Sequence, residues 1–439
     1  MTVGIVLVVT LIAFEAMAVG TVMPEVSREL NAFDLYAWSF SAFLMAGLLV
    51  NVIAGLWSDS RGPLLPMVLG LGLFIAGMAM AGVVGSKELF IIARAIQGFG
   101  AGAVIVAMYV LIAQAYAQSL QPKIFAALSA AWVLPSLIGP AVAGFVAQAA
   151  GWRWVFLGTI PLVIPGFLLL LPVLRRTGAP PEEAGAPATG RARPAVRTVA
   201  AIAVAAGATA ILYGIDNLRS GALPIAATVA GTAMLLLGLP RLLPAGALRL
   251  GRGLPTTIVM RGFLAAAFFG VNSFIPWLLT DVHSFSTTNA GIALTTGAVG
   301  WSLGSYLQAR RSYDRINLVR WGAVCVALGI AGTVAIGLPG VSGWVAVPVW
   351  MVAGLGMGVA ITSVNVTMLR QSPVAEQGVN SAALQVCDTL GASLAIGAGG
   401  AIINAIGRDR LAVGFTVTVV AMALLAAFSS VAALRMRER

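Results

Sequence analysis

Long apolar runs, cut by short polar breaks, fill this 439-residue chain. A helix needs about 20 apolar residues to cross the hydrocarbon core of a bilayer. At that length the runs predict fourteen spanning helices: 3–24, 38–57, 64–85, 88–113, 122–148, 153–174, 197–215, 221–241, 256–279, 287–308, 317–337, 344–369, 377–404 and 411–434. An even number puts both ends on one side. The longest polar break runs from Arg175 to Arg197, after the sixth run; Pro, Gly and Ala dominate it and no apolar period survives. Such a segment reads as a flexible linker. The chain thus divides into a first six-helix bundle (1–175), a linker (176–196), an inserted helix pair with its following loop (197–254) and a second six-helix bundle (255–439).

Composition agrees with an all-α integral membrane protein. The chain is 59% hydrophobic and 9% charged, where soluble domains carry about 25% charged residues. The net charge of +11 is arranged by side. Of the 26 basic residues, nineteen fall on the side of the termini, Arg261 counted among them as a loop-end residue. Six fall opposite: Arg28, Lys87, Arg153, Arg219, Arg408 and Arg410. Basic residues mark the cytoplasmic side, so both termini and the linker around Glu182 are expected in the cytoplasm. The charge is a topology signal and not a nucleic-acid footprint. Abundant Ala and Arg with only two Lys points to a high-GC bacterial genome. Cys325, Cys387 and the single His283 are isolated and form no metal-ligand spacing. No phosphate-binding Gly-rich loop, zinc-protease His pair or Gly-x-Ser-x-Gly elbow occurs, which argues against ATP hydrolysis and against an enzyme. The N-terminus lacks a basic n-region and reads as a retained first span.

One cation stands out within a run. Arg94 lies in the fourth, and an arginine inside a bilayer costs about 3 kcal/mol even on insertion scales. Such a charge faces the protein interior and calls for an intramembrane acid. Glu15, deep in the first run, meets that need. It lies nine residues before Pro24, and Arg94 lies six residues past the start of its own run. At about 1.5 Å per residue the two depths differ by roughly one helical turn. Contact across the bundle is feasible. A static ion pair is one reading; a carboxylate whose proton affinity changes as the pair forms and breaks is the other.

Arg94, Gln97 and Gly98 resemble motif B of the major facilitator superfamily. Glu15 and Pro24 are similar to its first-span motif, which usually has Asp at the acidic position. Gly55-Leu56-Trp57-Ser58-Asp59-Ser60-Arg61-Gly62 resembles motif A, a cytoplasmic latch. Gly55, Asp59 and Gly62 fit that pattern; Ser60 replaces the usual Arg, and Arg61 is displaced by one position. Leu134 to Gly144 resembles motif C, associated with antiporters, through Gly139, Pro140 and Gly144, with Pro135 and Ala143 where Gly is usual. Gly304 to Arg311 falls where a second motif A would lie but lacks the acid. The six-plus-two-plus-six layout resembles the fourteen-helix drug:proton antiporter branch of that superfamily.

The second half carries fewer signals. Asp388 is the one acid placed deep in the second bundle, as a second protonation site or a counter-charge for a cationic substrate. Asn272, Trp277, Trp301, Asn365 and Gln385 are candidate cavity residues. The resemblance implies a proton-coupled exporter of amphiphilic small molecules, cycling by alternating access in the cell membrane as a monomer. Its partners would be substrate, protons and lipid, with no cofactor beyond the proton gradient. A transporter dedicated to one lipid, siderophore or self-made antibiotic, and a transporter-like sensor, remain as alternatives.

Overall fold

The computed structural model describes residues 1–116, 121–174, 194–218, 221–309, 314–338, 340–373 and 376–437. The linker around Glu182, Arg310 and Arg311, and the side chains of Asp59 and Arg61 lie outside the described residues. Among the described residues every regular element is a helix. The first group holds α1 (Thr2–Glu29), α2 (Trp38–Arg61), α3 (Leu64–Val83), α4 (Lys87–Ala115), α5 (Gln121–Ala150), α6 (Arg153–Leu157) and α7 (Ile160–Leu174). Next come α8 (Pro194–Asp216) and α9 (Ala222–Leu242). The last group holds α10 (Leu254–Asn272), α11 (Ile275–Asp281), α12 (Thr287–Ala309), α13 (Arg315–Gly332), α14 (Ala346–Gln371), α15 (Gln377–Ile406) and α16 (Leu411–Ala432).

Local chemistry sets these boundaries. The Ser86 hydroxyl accepts from Leu89 N–H at 3.3 Å and caps α4. Gly62 ends α2 with φ +81°, a conformation that favours glycine. Two runs that read as single helices are each interrupted near a proline. The run at 153–174 breaks at Gly158–Thr159 before Pro161, and that at 256–279 breaks at Ser273–Phe274 before Pro276. Proline removes a backbone donor at those points.

Among the described residues, twelve spans are long and apolar enough to cross a membrane. The sequence reading of fourteen also includes α5, whose described apolar stretch is Leu134–Ala150, and α12, which is 23 residues long and carries Thr, Ser, Gly and Gln along its length. α5 packs on α12, one from each group, so Thr, Ser, Gly and Gln face protein there and not lipid. The chain is a multi-pass membrane protein.

The two groups form two bundles that meet along two seams, α5 against α12 and α2 against α15. α8 and α9 pack on each other, and α8 also lies against both α2 and α15. One continuous apolar core joins the bundles, taking Ala18 to Val26 of α1 together with Phe274 to Leu279 and Ala290 to Leu294. Further along α1, Ile5 to Ile12 belong to a separate core built from the first bundle alone. The bundles are therefore sealed together at the end where α1 finishes.

Candidate functional site

Three helices build the centre of the first bundle. α1 supplies Glu15, α4 supplies Arg94 and Gln97, and α2 supplies Phe43 and the Ser39 carbonyl. Arg94 Nη1 donates to Glu15 Oε1 and to Gln97 Oε1, the latter at 2.6 Å. Arg94 Nε donates to the Ser39 carbonyl at 3.1 Å. The guanidinium also lies over the Phe43 ring, 4.6 Å from its centroid. The side chains of Arg94 and Glu15 are 3% and 1% exposed, so the pair is out of reach of water. Planar Arg satisfies this arrangement because its donors point in several fixed directions. Glu15 Oε2 and Gln97 Nε2 are buried with no hydrogen-bond partner among the described residues. α2 can come this close because Gly98 has no side chain: a Cβ there would overlap the Phe43 carbonyl.

The second bundle holds a different pair. Arg261 of α10 donates from Nε to Asp388 Oδ1 of α15 at 2.5 Å, and from Nη1 to Asn365 Oδ1 of α14 at 3.3 Å. Arg261 was expected at a loop end; it lies seven residues inside α10 and is a second intramembrane cation. Asp388 hid this from the sequence, since nothing along the chain marks which helix faces α15. The pair is open: Arg261 is 16% exposed and Asp388 17%. Tyr109 of α4, 46% exposed, lies within electrostatic reach of Arg261 from the opposite bundle. Gln385, one turn before Asp388, is exposed as well.

The remaining sequence candidates fall in three places. Trp301 is half-buried and meets Phe268 edge-on at 5.6 Å, with Asn272 half-buried one turn beyond Phe268. Trp277 is buried in the sealed end, away from this space. It stacks on Tyr36 with centroids 4.8 Å apart and meets Phe33 at 5.0 Å, while its Nε1 donates to Asp281. The Gly139–Gly144 stretch lies on the α5–α12 seam. A Cβ at Gly144 would come within 2.7 Å of the Thr287 carbonyl, and one at Gly291 would overlap the Pro140 carbonyl. At Gly139 a Cβ would find ordinary contact, 3.5 Å from Phe14. Gly55 is half-buried in α2, and a Cβ there would lie 3.8 Å from Val106.

Polar bonds close the sealed end. Arg28 pairs with Asp281 at 3.0 Å, Thr287 donates to Glu25 at 3.3 Å, and Thr288 donates to Gln148 at 2.8 Å. The Tyr36 hydroxyl donates to the Ser273 carbonyl at 2.8 Å, and Ser41 to the Ser393 carbonyl at 3.2 Å. α8 joins in through Asp216. It accepts from Trp38 Nε1 of α2 at 3.3 Å and from Asn404 Nδ2 of α15 at 3.0 Å.

Known proteins with similar sequences and folds point the same way. Over 416 residues the chain is 22% identical to the multidrug transporter protein MdtP of Bacillus subtilis (strain 168), covering 92% of this chain and 74% of that one. It is 28% identical to the multidrug efflux pump SdrM of Staphylococcus aureus (strain N315) over 169 residues, 38% of each. Among solved structures, an auto-inhibited POT family peptide transporter superposes with a TM-score of 0.69 at 17% identity. That match covers 99% of this chain and 97% of the other, and it speaks to fold alone. The description of the Major Facilitator Superfamily matches residues 5–396, nearly the whole length. The chain belongs to the major facilitator superfamily.

Proposed function

We propose that the protein is a proton-coupled exporter of amphiphilic small molecules, with fourteen spanning helices and both termini in the cytoplasm. The observation that carries the reading is the sealed Glu15–Arg94 pair, a carboxylate held by a fixed cation inside the membrane with one oxygen unpartnered. The multidrug names of the relatives support the cargo class. The arginine asymmetry supports the orientation, which puts the sealed end outside and makes this arrangement inward-facing.

A proton and Arg94 compete for the same carboxylate. When the outer seam opens, Glu15 takes a proton from outside and its attraction to Arg94 falls. Arg94 keeps the Ser39 carbonyl and Gln97 as partners, so the cation is never left bare. When the seam closes and the inner side opens, Glu15 releases the proton inward and pairs with Arg94 again. Cargo moves the other way through the space between bundles. The proton gradient supplies the work, and no cofactor takes part.

The test is transport in inverted membrane vesicles with a panel of fluorescent cationic and neutral dyes. Glu15→Gln mimics the protonated acid. It should bind dye about as well as wild type, fail to accumulate it when the membrane is energised, and still exchange it down a gradient. Asp388→Asn is the comparison. If Glu15→Gln pumps normally with an unchanged pH profile while Asp388→Asn still binds dye but does not pump, coupling lies in the second bundle and the first pair is structural.

A further inference from the structure

We propose that Arg261 and Asp388 together form the head-group site for a zwitterionic amphiphile, one bearing an ammonium and a carboxylate next to an apolar body. The inference rests on the exporter reading above and names its cargo class.

The two charges are built to receive a ligand and not only each other. Asp388 uses one carboxylate oxygen on Arg261. Arg261 spends Nε on Asp388 and one Nη1 bond on Asn365. A guanidinium has five donors and a carboxylate about four acceptor positions, so both keep unused valence. Neither is among the buried groups lacking a partner, and both are about one-sixth exposed. The spare capacity therefore faces reachable space, on the side where Tyr109 and Gln385 are exposed.

The rest of the wall fits an apolar body. Phe269, half-buried, follows Arg261 by eight residues on the same face of α10, and Phe268 beside it is buried and forms the layer behind. Trp301 of α12 meets them at 5.6 Å and 6.4 Å. At about 1.5 Å per residue these rings begin roughly 11 Å from the charge pair, toward the sealed end. A head on Arg261 and Asp388 would place an aromatic body against them.

Charge accounting selects the zwitterion. A simple cation placed on Asp388 adds a positive charge beside Arg261, and a simple anion on Arg261 adds a negative charge beside Asp388, in a site that water only partly reaches. A ligand with both charges adds its ammonium to Asp388 and its carboxylate to Arg261. No buried charge is then left over, and no net charge enters. Monopolar ligands are disfavoured by the net charge they bring beside a like-charged partner.

The probe is one scaffold, 2-naphthylalanine, in four end-group forms: the free zwitterion, its methyl ester (a cation), its N-acetyl derivative (an anion) and the N-acetyl methyl ester (neutral). Binding to the full-length protein in lipid nanodiscs is read by titration calorimetry, with no gradient present. Wild type should bind the zwitterion roughly tenfold tighter than any other form. Arg261→Gln and Asp388→Asn should each remove that advantage. Arg261→Gln should spare the ester, and Asp388→Asn the N-acetyl form. Arg261→Lys, which keeps the cation, should retain part of the preference. Wild-type protein that binds ester or neutral form as tightly as the zwitterion would overturn the proposal. So would variants that weaken all four forms equally while remaining monodisperse. Failure of the proton-coupling reading would look different: the zwitterion preference would persist, and its transport in vesicles would ignore the proton gradient.

Discussion

The two intramembrane ion pairs use the same chemistry in opposite surroundings. Glu15–Arg94 is closed off from every side, 1% and 3% exposed, and Arg94 has a second helix and an aromatic ring packed on it. Arg261–Asp388 is partly open, 16% and 17% exposed. A charge that must change state only when the protein moves belongs where solvent cannot reach it. A charge that must meet cargo has to be accessible. The open pair lies in the first halves of α10 and α15, toward the ends of those helices opposite the sealed end.

Removing the cation tests that contrast with the largest expected effect. Arg94→Ala strands Glu15, the Ser39 carbonyl and Gln97 together. Breaking a buried pair costs about 3–5 kcal/mol, so the detergent-solubilised protein should show a much lower thermal midpoint. Arg94→Lys keeps the charge but cannot reach three partners at once, and should recover only part of the loss. Arg261→Ala is the matched variant in the open pair. Water can reach the carboxylate it leaves behind, so the cost should stay near about 1 kcal/mol. Equal losses at both sites would erase the distinction between a sealed and an open pair.

Glycine packing gives the next largest effect. Gly98→Ala pushes α2 away from α4, because the new methyl overlaps backbone at Phe43 that cannot rotate aside. Overpacking of this kind costs about 1–3 kcal/mol, and it also shifts the Ser39 carbonyl and Phe43 that hold Arg94. Gly139→Ala adds the same methyl where ordinary contact at 3.5 Å awaits it, and should be near neutral in thermal unfolding. If the two substitutions behave alike, the tight α2–α4 approach is not what confines Arg94.

The first pair could be read from sequence and the second could not, for a physical reason. An arginine in the middle of an apolar run has to find an acid, and Glu15 was the acid at a matching depth. Arg261 lies close enough to the start of its run to pass for a loop charge, so nothing flagged it as Asp388's partner. The seam helices α5 and α12 were legible as spans by length, yet their polar faces express a packing that periodicity does not report. Trp277 illustrates the same gap. Tryptophan near the end of a run suits a cavity wall or a stack, and only the fold places it against Tyr36 and Phe33. The division after the sixth run was visible as composition. That α8 would lean into the α2–α15 seam was not, because its outward and inward faces are equally apolar.

That position of α8 leads to the smallest of the expected effects. Asp216 is bonded to Trp38 in one bundle and to Asn404 in the other, so the inserted pair bridges the seam that keeps the first ion pair dry. Hydrogen bonds between membrane helices average about 0.6 kcal/mol each. Losing two should shift the balance between closed and open seam by about 1 kcal/mol, a roughly fivefold change in population. Asp216→Ala should therefore leave folding nearly intact and raise exposure of the seam. A cysteine at Ala37, which packs against Gly400 across the seam, reports on it once Cys325 and Cys387 are replaced by serine. Maleimide applied from outside should label it several-fold faster in the Asp216→Ala background, and Asn404→Leu should act in the same direction by removing the other end of the bridge. An unchanged rate in both would mean that the apolar core alone holds the seam, and that α8 lies against it without bracing it.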